Sequence, residues 1–271
     1  MRKTFRTAGP LTMRARIVSG DITVEATDDG ETIVEIEPRN EAAERLVEEV
    51  RVEMRGDELL IDAPERRGLF GRGPEFGLRV ACPAGSNVES RTASADVHIR
   101  GRLGDVDVTT ASGDINAEQA DGETRITSVS GDVELGSSRG PVSVRTTSGD
   151  VRIGHAAAGL LINLVSGDLG VREVEGGLTA ETISGDVDVG AVSPGVIHVK
   201  TVSGDVCVGV QAGCDVRMDV RSVSGHAHSE LEGSDGPPPD RSRLVELEIS
   251  TLSGDVSIRR AETAAPLAHL S

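Results

Sequence analysis

Aromatic side chains are almost absent from this sequence of 271 residues, which has no Trp, no Tyr and only 3 Phe. A globular core usually takes much of its buried area from aromatic rings. This core must therefore be assembled from smaller side chains, chiefly Val, Ile, Leu, Ala and Thr. Thin layers of β-branched residues such as Val, Ile and Thr are typical of stacked strands.

Cysteine and long apolar runs are also scarce. The three cysteines, Cys82, Cys207 and Cys214, are an odd number and do not resemble a disulfide framework. No apolar run approaches the ~18–20 residues of a membrane span. The start of the chain is basic, but no apolar stretch follows it as in a secretory signal. These absences predict a cytoplasmic protein without a membrane span.

Basic residues are outnumbered, with 28 Lys and Arg against 45 Asp and Glu and a formal net charge of −17. Nucleic-acid affinity depends on neutralising phosphates with Lys and Arg. We therefore expect no nucleic-acid partner. A negative surface favours solubility and leaves room for cations.

The sequence contains a short repeat with the motif Ser-Gly-Asp or a close variant. The copies from Ser94 to Ser184 follow one another every 18 residues, and the later copies are spaced more loosely. The ten copies begin at Ser19, Ser94, Ser112, Ser130, Ser148, Ser166, Ser184, Ser203, Ser224 and Ser253. Such a repeat indicates a solenoid, in which each coil buries its apolar face only against its neighbours.

The segments between the motifs predict strands rather than helices. Eighteen residues also make about five helical turns, but these segments alternate apolar and polar residues at period two and are rich in Val, Ile and Thr. A second Gly interrupts each repeat ten or eleven residues after the Ser, which a helix would not tolerate cheaply. We predict an all-β, parallel, single-stranded β-helix, or β-solenoid. Each 18-residue coil has two corners and two strands, in a rod on the order of 40 Å long.

Alignment of the copies on their Ser predicts which columns face the core. Apolar residues stand one before, three after and five after the Ser, as at Val165, Leu169 and Val171. All three columns are predicted to face inward. Two before the Ser, every copy from Thr92 onward has Thr or Ser except at Leu164. We expect these stacked hydroxyl groups to share hydrogen bonds.

Residues 1–90 are predicted to be a degenerate β segment that caps one open end of the solenoid. We expect a short helix from Glu41 to Glu49, with Asn40 as its N-cap. Strands are predicted near residues 14–26, 32–37, 50–55 and 58–62, followed by an excursion from Pro64 to Pro74.

The repeat solenoid is predicted to occupy residues 91–260, continuous with the first segment as one domain. Glu230 to Arg243 contains Gly-Pro-Pro-Pro and is interpreted as a surface loop. The last coil, Leu244 to Arg259, is expected to complete the stack. Residues 261–271 are expected to be a disordered tail.

The Val-Ser-Gly-Asp-Val repeat and its degenerate N-terminal part resemble a bacterial β-strand-repeat family labelled "putative adhesins", related to the toastrack domains of envelope-stress proteins. The resemblance covers roughly Arg14 to Arg259. It implies a β-helix with an interaction role in envelope or stress signalling, and it supplies no catalytic residues. Many relatives have a membrane segment or a secretion signal. We expect neither here, which argues against surface adhesion.

Three sequence patterns suggest catalysis or metal binding but have simpler interpretations. The Ser-Gly-Asp corner offers a hydroxyl and a carboxylate, but no His recurs there as a base, and turn formation explains the same residues. Residues 136–140 match the Gly-x-Ser-x-Gly nucleophile elbow without its strand-turn-helix setting. His226, His228, Cys207 and Cys214 lack a standard zinc spacing. We interpret His226 as a substitute for the repeat Asp.

The stacked aspartates of the corners are weak candidates for a metal site. Two unit charges ~5 Å apart repel by about 1 kcal/mol in water. Exposure, backbone N–H bonds or bound cations could relieve this repulsion. Calcium favours carboxylate clusters, although the nonapeptide of calcium-binding β-rolls is absent. The six candidates, called the aspartate column below, are Asp114, Asp132, Asp150, Asp168, Asp186 and Asp205.

Together these observations favour a non-enzymatic interaction or scaffold protein. We expect it to bind a protein partner, or a second copy of itself, through its faces or ends, with no catalytic residue and no cofactor. A calcium-binding solenoid is one alternative. A carbohydrate-active β-helix enzyme is another, but such enzymes use aromatic sugar platforms, and this sequence has almost no aromatic residues.

Overall fold

The structure is a computed structural model that describes residues 1–64, 73–231 and 241–261. These residues form strands almost throughout, with one short α-helix and two short 3-10 segments. The predicted β-solenoid is confirmed. No helix among the described residues is long and apolar enough to cross a membrane.

The N-terminal strands are β1 (Arg2–Arg6), β2 (Thr12–Thr27), β3 (Glu31–Pro38), β4 (Arg51–Arg55), β5 (Glu58–Asp62), β6 (Glu75–Pro83) and β7 (Asn87–Leu103). The central strands are β8 (Val106–Thr109), β9 (Ile115–Ala120), β10 (Thr124–Thr127), β11 (Val133–Ser138), β12 (Val142–Ser148), β13 (Val151–Ala156), β14 (Leu160–Ser166), β15 (Leu169–Val174), β16 (Leu178–Ser184), β17 (Val187–Val192), β18 (Gly195–Ser203) and β19 (Val206–Val210). The last strands are β20 (Asp215–Ser224), β21 (Ala227–Ser229), β22 (Leu244–Ser253) and β23 (Val256–Arg260).

Each repeat forms one coil with two strands and two corners, as predicted. In one coil, β12 ends at the Ser148 corner and β13 follows. β12 pairs in parallel with β10 and β14, and Val142 lies beside Leu160 of the next coil. β13 pairs in parallel with β11 and β15. The coils therefore stack into one continuous sheet with two facing rows of parallel strands, and the apolar core lies between the rows.

One of the three columns predicted to face inward does not. The columns three and five after the Ser are buried, as at Val151 and Ile153, but the residue before the Ser is exposed. Val129 is 54% and Ile183 is 52% exposed. The strand before the corner alternates at period two, and its inward set ends at the Thr or Ser two before the Ser, such as Thr146. The following apolar residue must therefore point outward.

The hydroxyl column does not form the shared hydrogen bonds that we expected. Thr110, Ser128 and Thr146 each donate instead to the carbonyl of the Ser two residues further on, at 2.9–3.1 Å. Further along the stack, the buried hydroxyls of Thr182 and Thr201 have no partner among the described residues. Only part of the column therefore stabilises its own corners by hydrogen bonds.

The isolated early motif is the first coil of the same stack. β2 pairs in parallel with β7, so that Ser19 lies beside Ser94. On the other side of β2, β5 pairs with its first half and β6 with its second half. Beyond this layer the pairing turns antiparallel, with β4 on β5, β3 on β6 and β1 on β3. The N-terminal part is thus only partly a version of the repeat.

The predicted helix of this region is shorter than expected. The α-helix α1 covers Glu41–Glu44, and Asn40 caps it by accepting a hydrogen bond from the Ala43 N–H at 2.9 Å. Residues 47–49 form a 3-10 turn instead. Isolated helices of this length are marginal, and few tertiary contacts favour a longer one. Most of the excursion from Pro64 to Pro74 lies outside the described residues.

The last coil in the sequence is not the last coil in space, which corrects our prediction. β22 lies between β18 and β20, and β23 lies between β19 and β21. The coil of β20 and β21 therefore ends the described stack. Val256 and Ile258 of the inner coil are buried, whereas Ala227 and Ser229 occupy the matching positions of the end coil. The more apolar coil takes the covered layer because burial of apolar surface stabilises the fold.

The predicted surface loop and tail fall largely outside the description. Residues 232–240 of the loop and 262–271 of the tail are not described. Ala261 is described, and its backbone N–H donates to the carbonyl of Val210 at 2.9 Å.

Candidate binding surface

An exposed row of apolar side chains runs along one corner of the rod. It consists of the residues before the corner Ser, which lie on neighbouring strands about 4.8 Å apart. Thr147 interrupts the row between Val129 and Val165, and Leu252 follows Val202 because β22 is the spatial neighbour of β18. We call this row the apolar ridge: Val129, Val165, Ile183, Val202 and Leu252, each 43–54% exposed.

A groove of about 630 Å³ lies along the inner part of the ridge. Its floor is the hydroxyl column, including Thr146 and Thr182, with Leu164 between them. Its far wall bears polar residues three before the Ser: Thr127, Arg145, Asn163, Glu181 and Lys200. One apolar wall and one mixed polar wall suit an extended segment that buries apolar side chains and meets charge on its other side.

A second groove, of about 540 Å³, lies on the opposite row of strands, across β11, β13, β15 and β17. Several glycines, among them Gly154 and Gly170, leave its floor without side chains. The outward charged residues Arg152, Arg172 and Asp188 line it, together with Glu134. Because its charges are mixed and it is widely open, this groove indicates no particular ligand.

The structure brings the aspartate column together as predicted and shows how the like charges are accommodated. Oδ1 of each member accepts the backbone N–H of the aspartate in the next coil, at 2.8–3.0 Å from Asp114 to Asp205. The chain of bonds continues from Asp205 to Asp255 and from Asp255 to the N–H of His226. Backbone hydrogen bonds thus stabilise each carboxylate. Cation binding by this column stays an untested alternative.

The other suggested sites do not assemble. Ser138 of the elbow-like segment is buried and donates to the carbonyl of Gly140 at 2.9 Å, within a turn between two strands. His226 is exposed and lies 3.6 Å from Asp255. Among the described residues, the two cysteines and two histidines considered for zinc do not form a group that could hold an ion.

The thiols are free, as the sequence indicated. All three cysteines are unpaired. Burial raises the pKa of the Cys82 thiol to about 11, against the lowering effect of a hydrogen bond with Ser86. Burial also raises the pKa of Cys207. Neither thiol has the low pKa of a nucleophilic cysteine.

Sequence reasoning missed one group of candidate metal ligands. The ligand atoms of His155, Glu173 and Glu175 all lie within 4.8 Å of one another. His155 and Glu173 stand 18 residues apart and face each other on β13 and β15, so the repeat period could have predicted the contact. The side-chain amide of Gln211 also donates to Glu173 at 3.0 Å. The group is partly exposed, and ion pairing explains it equally well.

The fold and the repeat agree with one family model, that of the Toastrack DUF4097 domain, which matches residues 11–259. The chain belongs to the Toastrack family. The match spans the N-terminal antiparallel strands and the repeat coils alike, in agreement with the resemblance noted in the sequence. A search of the curated proteins found no match.

Three solved structures illustrate how far this Toastrack protein resembles known ones. A "putative adhesin" of Bacteroides fragilis is 17% identical, with 96% of each chain covered and a TM-score of 0.40. One of Parabacteroides distasonis is 16% identical, with 95% of this chain and 96% of the other covered and a TM-score of 0.40. A "putative lipid binding protein" of P. distasonis is 11% identical, with 97% and 96% covered and a TM-score of 0.34.

Proposed function

We propose that this Toastrack protein is a non-enzymatic binding scaffold that holds a protein partner along the apolar ridge and its groove. The main support for this proposal is the exposure of the ridge, whose side chains are 43–54% exposed. The chain has a net charge of −17, so an apolar row on its surface, interrupted only at Thr147 between Val129 and Leu252, is unexpected. Exposed apolar rows rimmed by polar residues are typical of interaction sites.

The geometry favours an extended partner segment over a small ligand. The groove runs across several coils, and its charged wall alternates in sign through Arg145, Glu181 and Lys200. A segment lying along the rod could bury apolar side chains on the ridge and pair its own charges with that wall. A small molecule would contact only one or two coils of this open surface.

The same proposal includes a pathway, namely envelope or stress signalling. The resemblance to toastrack domains of envelope-stress proteins supports a role in envelope or stress signalling. We propose that the protein acts there from the cytoplasm. The solved structures noted above are described as adhesins and a lipid-binding protein rather than as enzymes, which supports a binding role.

The proposal is tested by affinity purification and mass spectrometry with wild-type protein and with the double variant Val165→Ser and Ile183→Ser. Both residues are exposed, so the thermal midpoint should stay within a few degrees of the wild-type value. We expect a partner that remains bound in high salt to be recovered with wild-type protein and to fall at least about tenfold with the ridge variant.

Leu161 provides a matched control because it is 40% exposed but lies outside the ridge. Leu161→Ser should recover the partner as the wild type does. Equal recovery with all three proteins would overturn the assignment of the ridge, and the identity of the recovered partner tests the proposed pathway.

A further inference from the structure

The end coil of the described stack leaves a strand edge open. β20 pairs in parallel with β22 on one side, and no described strand pairs with its other side. Its core-facing residues are incompletely covered, and Met218 is 43% exposed. An open edge with free backbone donors and acceptors is a ready template for another strand.

The sequence of this edge is self-complementary. From Asp215 to Arg221 it reads Asp-Val-Arg-Met-Asp-Val-Arg, with charged residues at the odd positions and apolar residues at the even ones. The even residues face the core, where Val216 and Val220 pack against the buried cluster. The side chains of Arg217 and Arg221 are 77% and 75% exposed.

We propose that β20 pairs antiparallel with β20 of a second copy of this chain, about a two-fold axis through Met218. In this register Asp215 lies opposite Arg221 of the second copy, and Arg217 lies opposite Asp219 of the second copy. The symmetry repeats each pair, so every charged residue of the segment faces an opposite charge. Such cross-strand pairs stabilise antiparallel sheets.

Neighbouring registers are disfavoured by the same charges. An axis through Arg217 would place Arg217 opposite itself and Asp215 opposite Asp219. An axis through Asp219 would place Asp219 opposite itself and Arg217 opposite Arg221. Like charges directly opposite are destabilising, so the register through Met218 is strongly preferred.

The pairing also completes contacts that the end coil lacks. It places Val216 opposite Val220 of the second copy and the two Met218 side chains together on the core side of the sheet. Asp219 lies beside Glu248 of β22, a neighbour of like charge, and it pairs with Arg221 of its own strand at 2.7 Å. Arg217 of the second copy would add a further positive charge beside Asp219 from the open side.

The arrangement predicts a dimer and no larger assembly. An isologous contact uses the same strand on both copies and closes after two chains, whereas a head-to-tail contact would continue into filaments. The contact uses a different surface from the apolar ridge, so it goes beyond the proposed function and neither depends on the other.

The test is sedimentation velocity on the full chain over a range of concentrations, with four charge variants. Asp219→Arg places Arg opposite Arg217, and Arg217→Asp places Asp opposite Asp219, so each should weaken the dimer at least about tenfold. The double exchange Arg217→Asp with Asp219→Arg should restore it. An equimolar mixture of the two single variants should form a heterodimer, because their charges complement each other.

Asp107→Arg makes the same charge change on a central strand and should leave the dimer constant unchanged. High salt should weaken the wild-type dimer by screening the charge pairs. A wild-type chain that stays monomeric at all concentrations would overturn the proposal. So would species larger than a dimer, or single variants that dimerise like the wild type. Circular dichroism on each variant confirms that it is folded, and the ridge variant Val165→Ser with Ile183→Ser should dimerise normally.

Discussion

At the scale of single residues, the corner glycines are required for two separate reasons. Gly149 has a φ of +121°, a conformation that other residues rarely adopt. A Cβ added there would lie 2.2 Å from the carbonyl oxygen of Gly131 in the neighbouring coil. That carbonyl is backbone held in the stack, so it cannot move aside without disturbing the next corner. The Ser-Gly-Asp motif thus reflects close stacking as well as turn geometry.

We predict that Gly149→Ala destabilises the protein by about 3 kcal/mol or more, from the strained φ together with the backbone contact. Gly170 is a matched control, since it lies in β15 with a φ outside the left-handed region and no atom within 4 Å of an added Cβ. Gly170→Ala should be neutral or stabilise by up to about 1 kcal/mol. Urea denaturation measures the free energy of unfolding of both variants. A similar loss of stability in the two variants would contradict this explanation of the corner.

At the scale of elements, the C-terminal strands show that chain order and stacking order differ. Ser257 of β23 lies directly beside Cys207 of β19, and His228 of β21 lies on the far side of Ser257. In a stack that followed chain order, residue 228 would be the neighbour of Cys207. The order of these two coils in the stack depends on which coil has the more apolar core residues.

We predict that Ser257→Cys forms a disulfide with Cys207 on oxidation, because paired residues of adjacent strands lie within disulfide range. His228→Cys should not, because two strand spacings separate it from Cys207. Both variants are made with Cys214→Ser, and mass spectrometry under non-reducing conditions detects the bond. Since burial raises the pKa of Cys207, the reaction is best run at alkaline pH. A bond at residue 228 instead would reverse the proposed order.

At the scale of the whole molecule, repulsion between like charges destabilises the fold. The chain has a net charge of −17, and the solenoid also stacks aspartates along one corner. The column tolerates this because each Oδ1 accepts a backbone N–H from the next coil while the side chains stay largely in water. General repulsion between the acidic surfaces remains, and dissolved salt screens it.

We predict that the melting temperature rises with sodium chloride as screening increases, and that calcium chloride at matched ionic strength adds nothing further. Protein treated with a chelator is the reference for both series. A saturable, calcium-specific rise would contradict this prediction and support the alternative in which Asp114 to Asp205 bind cations.

The sequence by itself determined the architecture, because each repeat contains the residues that specify its own corners and its own core positions. The period places the corners, the positive φ of a residue such as Gly149 needs Gly, and columns such as that of Val151 and Ile153 form the core. Asn40 likewise marked its helix, since capping depends only on residues close in the chain.

Tertiary structure decided everything that depends on which coils meet. Whether Val165 points inward or outward follows from the strand before its corner, so an alignment on the Ser alone assigned it wrongly. The inner position of β22 follows from competition between two coils for one covered layer. The apolar ridge and the open edge of β20 are consequences of these two outcomes. Burial is a property of the assembled stack, and no single repeat specifies it.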